Sequence, residues 1–267
     1  MPDKAPVILI SGLSCTEELF AHQKAALEAA GYEVLIPDHT KATNMAELSS
    51  SIINEINKKF GSTSKVHMVG FSMGGYAALQ MVKDGHQERF ETLTLLSTNA
   101  RADLPEKAAS RAQLIQLARE GKMEEAANSM FNTMVCKKNL NDEQLRKDFI
   151  KMVVDTGPEH FINQMETIIS RSESLSVLKD IKARTAIIVG DGDQRSTLEM
   201  AWEMLSGING SKTWPATLAV AKDCGHLSPL EQSEAVTKTL IKHFEKTLGY
   251  PPGISIHRTV AREFEMH

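Results

Sequence analysis

Cysteine is scarce in this chain, and what little there is forms no pattern. Cys15, Cys136 and Cys224 are an odd number at wide spacings, with no CxxC pair or other metal-ligand arrangement. That argues against a disulfide framework and points to a reducing, cytoplasmic location. Long hydrophobic runs are missing too. The apolar run near the N-terminus, Val7–Ile10, is far shorter than a signal-peptide core. No stretch approaches the roughly 20 apolar residues that span a bilayer, so no membrane partner is expected. Nor is there a long basic run: 30 Lys and Arg stand against 34 Asp and Glu, for a net charge of −4. The electrostatic footprint of a nucleic-acid binder is therefore absent. What remains is an ordinary folded composition, 42% hydrophobic and 24% charged, in 267 residues. That length suffices for one large core carrying a smaller insertion.

The first hundred residues alternate short β-branched runs with helix-like segments, the pattern of parallel strands joined by crossover helices. Strands are expected at 7–10, 33–36, 65–69 and 92–96, with helices at 18–30, 45–60 and 73–83 between them. From about Pro105 to Leu178 the strand pattern disappears and helical segments follow one another, with breaks at Gly121, at 139–142 and at Gly157-Pro158. Strands return at 185–189 and 217–220, with helices at 198–205 and 231–247. The organisation read from this is a core of residues 1–103 and 180–250 interrupted by a helical cap at 104–179. Beyond Tyr250, Pro251-Pro252-Gly253 breaks any helix, and 251–267 reads as a tail: disordered, packed on an edge, or appended to the natural chain.

Gly70-Phe71-Ser72-Met73-Gly74 fits G-x-S-x-G and lies between an expected strand and an expected helix. Context carries more than the letters, since an ordinary glycine turn with a bystander serine would read the same. A serine on so sharp a turn takes strained backbone angles, and the flanking glycines let neighbouring chain approach. A serine nucleophile needs a base, and the base needs an orienting acid. Asp191 and Asp193 follow the strand at 185–189, and His226 follows the next strand. In a doubly wound sheet the carboxyl ends of the strands share one edge, so Ser72, an aspartate and His226 can converge there.

These motifs together resemble the α/β-hydrolase superfamily, in the serine esterase-like branch whose helical cap lies between the sixth and seventh core strands in the family's count. The resemblance covers about residues 5–248 and rests on Ile10-Ser11-Gly12-Leu13, Gly70 to Gly75, Gly190-Asp191-Gly192-Asp193, and Cys224-Gly225-His226 through Glu231. It departs at Ser11-Gly12, where members usually carry His-Gly. The resemblance implies an α/β fold with a mostly parallel central sheet and helices on both faces. It implies Ser72, Asp193 and His226 as the catalytic residues, with Asp193 preferred to Asp191 by family spacing. It also implies an oxyanion hole from the backbone N–H groups of Leu13 and Met73, each typically worth about 3 kcal/mol of barrier.

The activity expected on this basis is hydrolysis of a small or medium carboxylic ester through an acyl-enzyme, with no metal or organic cofactor. Lactone or C–C bond hydrolysis and perhydrolysis are alternatives on the same three residues. A ligand sensor with slow turnover, signalling through a protein partner, is the alternative of another class. Cap residues Met130, Met134, Phe161 and Met165 are candidates to face the substrate, which is expected to have an apolar part. Asp38-His39 reads as loop support, and Cys15 and Cys224 as buried, inert thiols.

Overall fold

A computed structural model describes residues 4–209, 216–247 and 251–257. The expected alternation becomes a seven-stranded sheet. Strands β1 (Val7–Ile10), β2 (Val34–Leu35), β3 (Val66–Phe71) and β4 (Phe90–Leu96) precede the long helical segment. Helices α1 (Ala21–Ala29), α2 (Met45–Phe60) and α3 (Met73–Lys83) connect them. Then come α4 (Pro105–Arg119), α5 (Met123–Met134) and α6 (Glu143–Ile169). The chain closes with β5 (Arg184–Gly190), α7 (Leu198–Asn209), β6 (Thr217–Ala221), α8 (Ser228–Glu231), α9 (Ser233–Phe244) and β7 (Ile254–His257). The order across the sheet is β2-β1-β3-β4-β5-β6-β7, with every pair parallel except the last.

Period-two alternation explains why both sheet faces are covered. Ile8, Ile10, Leu93, Leu95, Ile187 and Val189 point into one core with α2, α3 and α7. Val7, Leu9, Val69, Phe71 and Ile188 point into the other, with α1, α9 and the α5–α6 pair. Helix α2 shows how locally the elements are specified. The Asn44 side chain accepts from Glu47 N and the Glu47 carboxylate accepts from Thr43 N, while Lys58 and Lys59 lie in the last turn before Gly61 at φ 82°.

Two expectations are revised. The helix expected over 231–247 is α9, Ser233–Phe244, preceded by the one-turn α8, from which it is separated where Gln232 leaves helical angles. The helix expected from residue 18 begins as a 3-10 turn, Glu17–Phe20. Of the readings for the tail, Ile254–His257 take edge packing, antiparallel to β6; residues 258–267 lie outside the described residues. Among the described residues, no helix is long and apolar enough to cross a membrane.

Two histidines are buried between the sheet and α9. His67 hydrogen-bonds Thr92 Oγ1 through Nδ1 at 3.0 Å and stacks on Phe244 with centroids 4.4 Å apart. Burial lowers its pKa from 6.5 to about 4, and burial, reinforced by Arg184, lowers that of His243 to about 3. Both imidazoles are neutral in the folded state at pH 5–6, whereas the unfolded chain binds protons below pH 6.5. Stability is therefore complete above pH 6.5 and falls as pH drops toward 4, by about 1.4 kcal/mol per pH unit for each such histidine. The denaturation midpoint should decline over that window, and His67→Gln should make the decline shallower by about one proton's worth. Equal slopes for the two proteins would refute this account of His67.

Candidate active site

The site is built at the carboxyl edge of the sheet by three turns. Strand β3 runs straight into α3 through Ser72, whose backbone is forced to φ 51°, ψ −113°. This left-handed angle is rare for a residue with a side chain and costs of order 1–3 kcal/mol. It holds because the turn has no room to relax. A Cβ on Gly74 would lie 2.2 Å from the Ile10 carbonyl oxygen, and one on Gly70 would lie 2.4 Å from the Gly74 carbonyl oxygen. Ser72 N donates to Leu96 O at 2.9 Å, tying the turn to β4.

The turn after β5 carries Asp193, and the turn after β6 carries His226. His226 Nε2 lies 2.9 Å from Ser72 Oγ, and Nδ1 lies 2.9 and 3.0 Å from the two carboxylate oxygens of Asp193. Asp193 Oδ1 also accepts from the backbone N–H groups of Arg195 (2.8 Å) and Ser196 (2.9 Å), which fixes the carboxylate in place. His226 and Asp193 are buried while Ser72 stays partly accessible. Asp191 is exposed, and its Oδ1 accepts from Cys224 N at 3.2 Å, so of the two aspartates only Asp193 reaches the imidazole.

Residues with no role assigned from sequence, among them Glu231 at the end of the histidine motif, hold the histidine turn. Glu231 accepts from Gly225 N (2.9 Å), Cys136 N (2.8 Å) and Asn139 Nδ2 (2.9 Å), and the Met134 carbonyl accepts from His226 N and Leu227 N. One carboxylate and one helix end thereby tie the turn to the chain after α5. Gln164 of α6 does the same for the first loop, accepting from Ser14 N at 2.8 Å.

The family model for the alpha/beta hydrolase fold matches residues 5–233. The chain belongs to the α/β-hydrolase family. Among solved structures, this hydrolase is similar to a thermophilic esterase from Thermogutta terrifontis, with a TM-score of 0.80 at 24% identity, covering 91% of this chain and 90% of that one. It also resembles an enol-lactonase from Burkholderia xenovorans, with a TM-score of 0.76 at 22% identity over 91% and 92% of the two chains. A curated relative, the 2-hydroxy-6-oxononadienedioate/2-hydroxy-6-oxononatrienedioate hydrolase of Escherichia coli, is 24% identical over 246 residues. That match spans 83% of this chain and 80% of the relative.

Ser72 and His226 of this α/β-hydrolase open on a cavity of about 130 Å³. Its apolar wall comes from Leu13, Phe71, Leu114, Met130, Met134, Phe149 and Ile168. Of the four expected cap residues, Met130 and Met134 reach it. Phe161 and Met165 do not: both are fully buried in the core cluster with Phe149 and Met152. Both follow the kink at Gly157 (φ 73°, ψ 160°) and Pro158, as does Ile168, which does reach the cavity; Met165 stands one layer behind the wall, its Sδ accepting from Arg111 Nη1. The rest of the wall is polar. Tyr76, Asp103, Lys107, Ser110, Arg111, Arg171 and Arg195 line it, none of which stands in a motif. Their signal is weak because charged residues at such positions read as ordinary solvated surface.

The first loop carries a further detail. His39 is buried, as loop support would require, and its Nε2 lies 3.1 Å from Gly12 O. Burial lowers its pKa, with the Gly12 carbonyl opposing, so the neutral ring donates Nε2–H to that oxygen. Because the peptide unit is planar and trans, the Leu13 N–H on the same unit points the opposite way. Cys15 and Cys224 are buried, and burial raises both thiols, Cys15 to about 12. Neither is a thiolate near neutral pH. Among the described residues, no group of three or more His, Cys, Asp or Glu side chains is placed to hold a metal ion.

Proposed function

We propose that this chain hydrolyses a small or medium carboxylic ester, with Ser72 as nucleophile, His226 as general base and then acid, and Asp193 as the group that orients the imidazole. The observation that carries this reading is the unbroken hydrogen-bond chain from Asp193 through His226 to Ser72, ending at an accessible hydroxyl on the cavity wall. His226 Nδ1–H donates to Asp193, which leaves Nε2 as the acceptor for the Ser72 proton. Ser72 Oγ attacks the carbonyl carbon, and the proton passes through His226 to the leaving alcohol. Water then attacks the acyl-enzyme by the same route in reverse order of roles.

The developing oxyanion is held by the N–H groups of Met73 and Leu13. Met73 opens α3, so its N–H has no acceptor within the helix and sits at the positive end of the helix dipole. Its side chain is buried in the core, so only the amide can serve. Leu13 lines the cavity, and His39 sets the plane of its amide through Gly12. His39→Phe removes that donor at similar ring size; kcat should fall about tenfold with KM little changed, a fraction of one full oxyanion donor. An unchanged kcat would remove His39 from the account.

Helices α4 to α6 act in this reading as the cap over the catalytic edge, held down through Gln164 and Glu231. The wild-type chain should turn over short alkyl esters many times per active site. A panel of esters, a five-membered lactone and a 1,3-diketone, whose cleavage releases an enolate, each followed to product, tests the bond class. Preferential cleavage of the lactone or the diketone would replace the ester assignment, and negligible turnover of all three would favour the sensor.

A further inference from the structure

The cavity wall carries an imbalance of charge that ester hydrolysis by itself does not require. Lys107, Arg111, Arg171 and Arg195 all line it, against the single carboxylate of Asp103. Asp103 is already engaged twice. It pairs with the Arg111 guanidinium and, at 2.7 Å, with Arg171. Arg171 is further fixed by donating Nε–H to Arg101 O at 3.0 Å and by lying 4.0 Å over the Tyr76 ring. These two arginines are therefore structural, joining α4 and the end of α6 to the loop after β4.

Lys107 and Arg195 are not so engaged. Neither side chain forms a hydrogen bond or ion pair with another described residue. Arg195 stands two residues after Asp193, and its backbone N–H is held by that carboxylate, so its position is tied to the triad itself. Burial holds the Arg195 pKa below the usual arginine value, and the neighbouring Arg111 charge lowers it further. Lys107 is lowered first by burial, against the pull of Asp103, and then by Arg111, Arg195 and Arg171. Partly buried cations that repel one another persist at a cost, and an anion placed between them relieves both the desolvation and the repulsion.

Resting on the reading of Ser72 as the nucleophile, we propose that Arg195 and Lys107 form a carboxylate-binding subsite, and that the substrate carries a carboxylate on its acyl side. The planar guanidinium of Arg195 takes both oxygens of the carboxylate, while the ammonium of Lys107 contributes a second, adaptable charge. The apolar wall of Met130, Met134 and Leu114 then covers the short chain between the carboxylate and the ester carbonyl. The cavity of about 130 Å³ suits a short acyl chain. Hydrolysis of such a half-ester consumes one water and releases an alcohol, a dicarboxylate and one proton.

The test uses matched substrates in which only the charge changes. Wild-type protein is expected to hydrolyse monomethyl glutarate with kcat/KM about 10- to 100-fold above neutral dimethyl glutarate, the range for a charge-assisted hydrogen bond. Arg195→Gln should remove most of that preference, raising KM for the monoester about tenfold more than KM for the diester. Lys107→Met should do the same to a smaller degree. Calorimetric titration of glutarate into full-length Ser72→Ala reads the subsite without turnover, and binding should weaken about tenfold or more when Arg195→Gln is added. A wild type that prefers the diester, an Arg195→Gln that slows both substrates equally, or no glutarate binding to Ser72→Ala would each overturn the proposal. The two readings fail differently. Glutarate binding without hydrolysis of either ester removes the nucleophile and keeps the subsite, whereas diester hydrolysis without glutarate binding does the reverse.

Discussion

Replacing Ser72 with alanine should lower kcat on any turned-over ester by about 10⁴- to 10⁶-fold, because in the proposed mechanism no other group forms the acyl-enzyme. The rate that remains should reflect substrate positioning and the backbone amides alone. The folded state should survive the change. Ser72 Oγ makes its described hydrogen bond to His226, and the backbone bonds of the turn, Ser72 N to Leu96 O and Gly75 N to Ser72 O, are untouched. Alanine meets the same positive-φ penalty as serine, so the substitution neither adds nor releases backbone strain. A thermal midpoint within a few degrees of wild type, measured beside the kinetics, separates lost chemistry from lost structure. Retention of even a tenth of the activity would place the nucleophile elsewhere.

Asp193→Asn should cost about as much by a different route, near 10⁴-fold in kcat. Three donors surround the carboxylate: Arg195 N, Ser196 N and His226 Nδ1. Arg195 N and Ser196 N both donate to Oδ1, so the amide oxygen of asparagine takes that position. Its NH2 group is then left facing His226 Nδ1. An imidazole that must accept at Nδ1 carries its proton on Nε2, and Nε2 can no longer take one from Ser72. Geometry would be retained and the tautomer reversed. Activity should therefore rise with pH more steeply than in the wild type, as deprotonated serine replaces the missing base. A variant with near wild-type kcat would show that Asp193 serves only to hold the loop.

Much of the fold is legible in the sequence because its signals are local. Helices α2 and α3 have the bounds that their periodicity and glycine punctuation indicate, and β1 is a bare apolar run of four. The same holds for Ser72, Asp193 and His226 as candidates, since each stands at a strand end with small residues around it. The fold then brings His226 within 3.0 Å of both Ser72 and Asp193. What could not be read depends on direction in space. Phe161 and Met165 look like Met130 and Met134 in a linear pattern, yet the first pair packs into the core and the second faces the cavity, a difference set by how the helices pack and not by their spacing. Strand β7 has only four residues and follows Pro-Pro-Gly, so it lacks the length that makes alternation recognisable. Lys107 and Arg195 carry no motif at all. Their meaning comes from the absence of described partners and from a shared cavity, and neither is a property of the linear sequence.

That cavity changes the view of substrate reached from composition. Methionines and aliphatic residues in the helical segment suggest an apolar acyl pocket, and part of the wall is of that kind. The other part gathers four cations around one aspartate, which turns the expectation from a neutral ester toward an acidic one.

The central claim is that Ser72 is activated by His226 and Asp193, and its most direct measurement needs no substrate. A fluorophosphonate is attacked by an activated serine and stays bound, so intact mass followed by peptide mapping reports the residue. The account predicts a single adduct on Ser72, absent in Ser72→Ala and formed far more slowly in Asp193→Asn. No adduct on the wild type, or one that persists in Ser72→Ala, would contradict it.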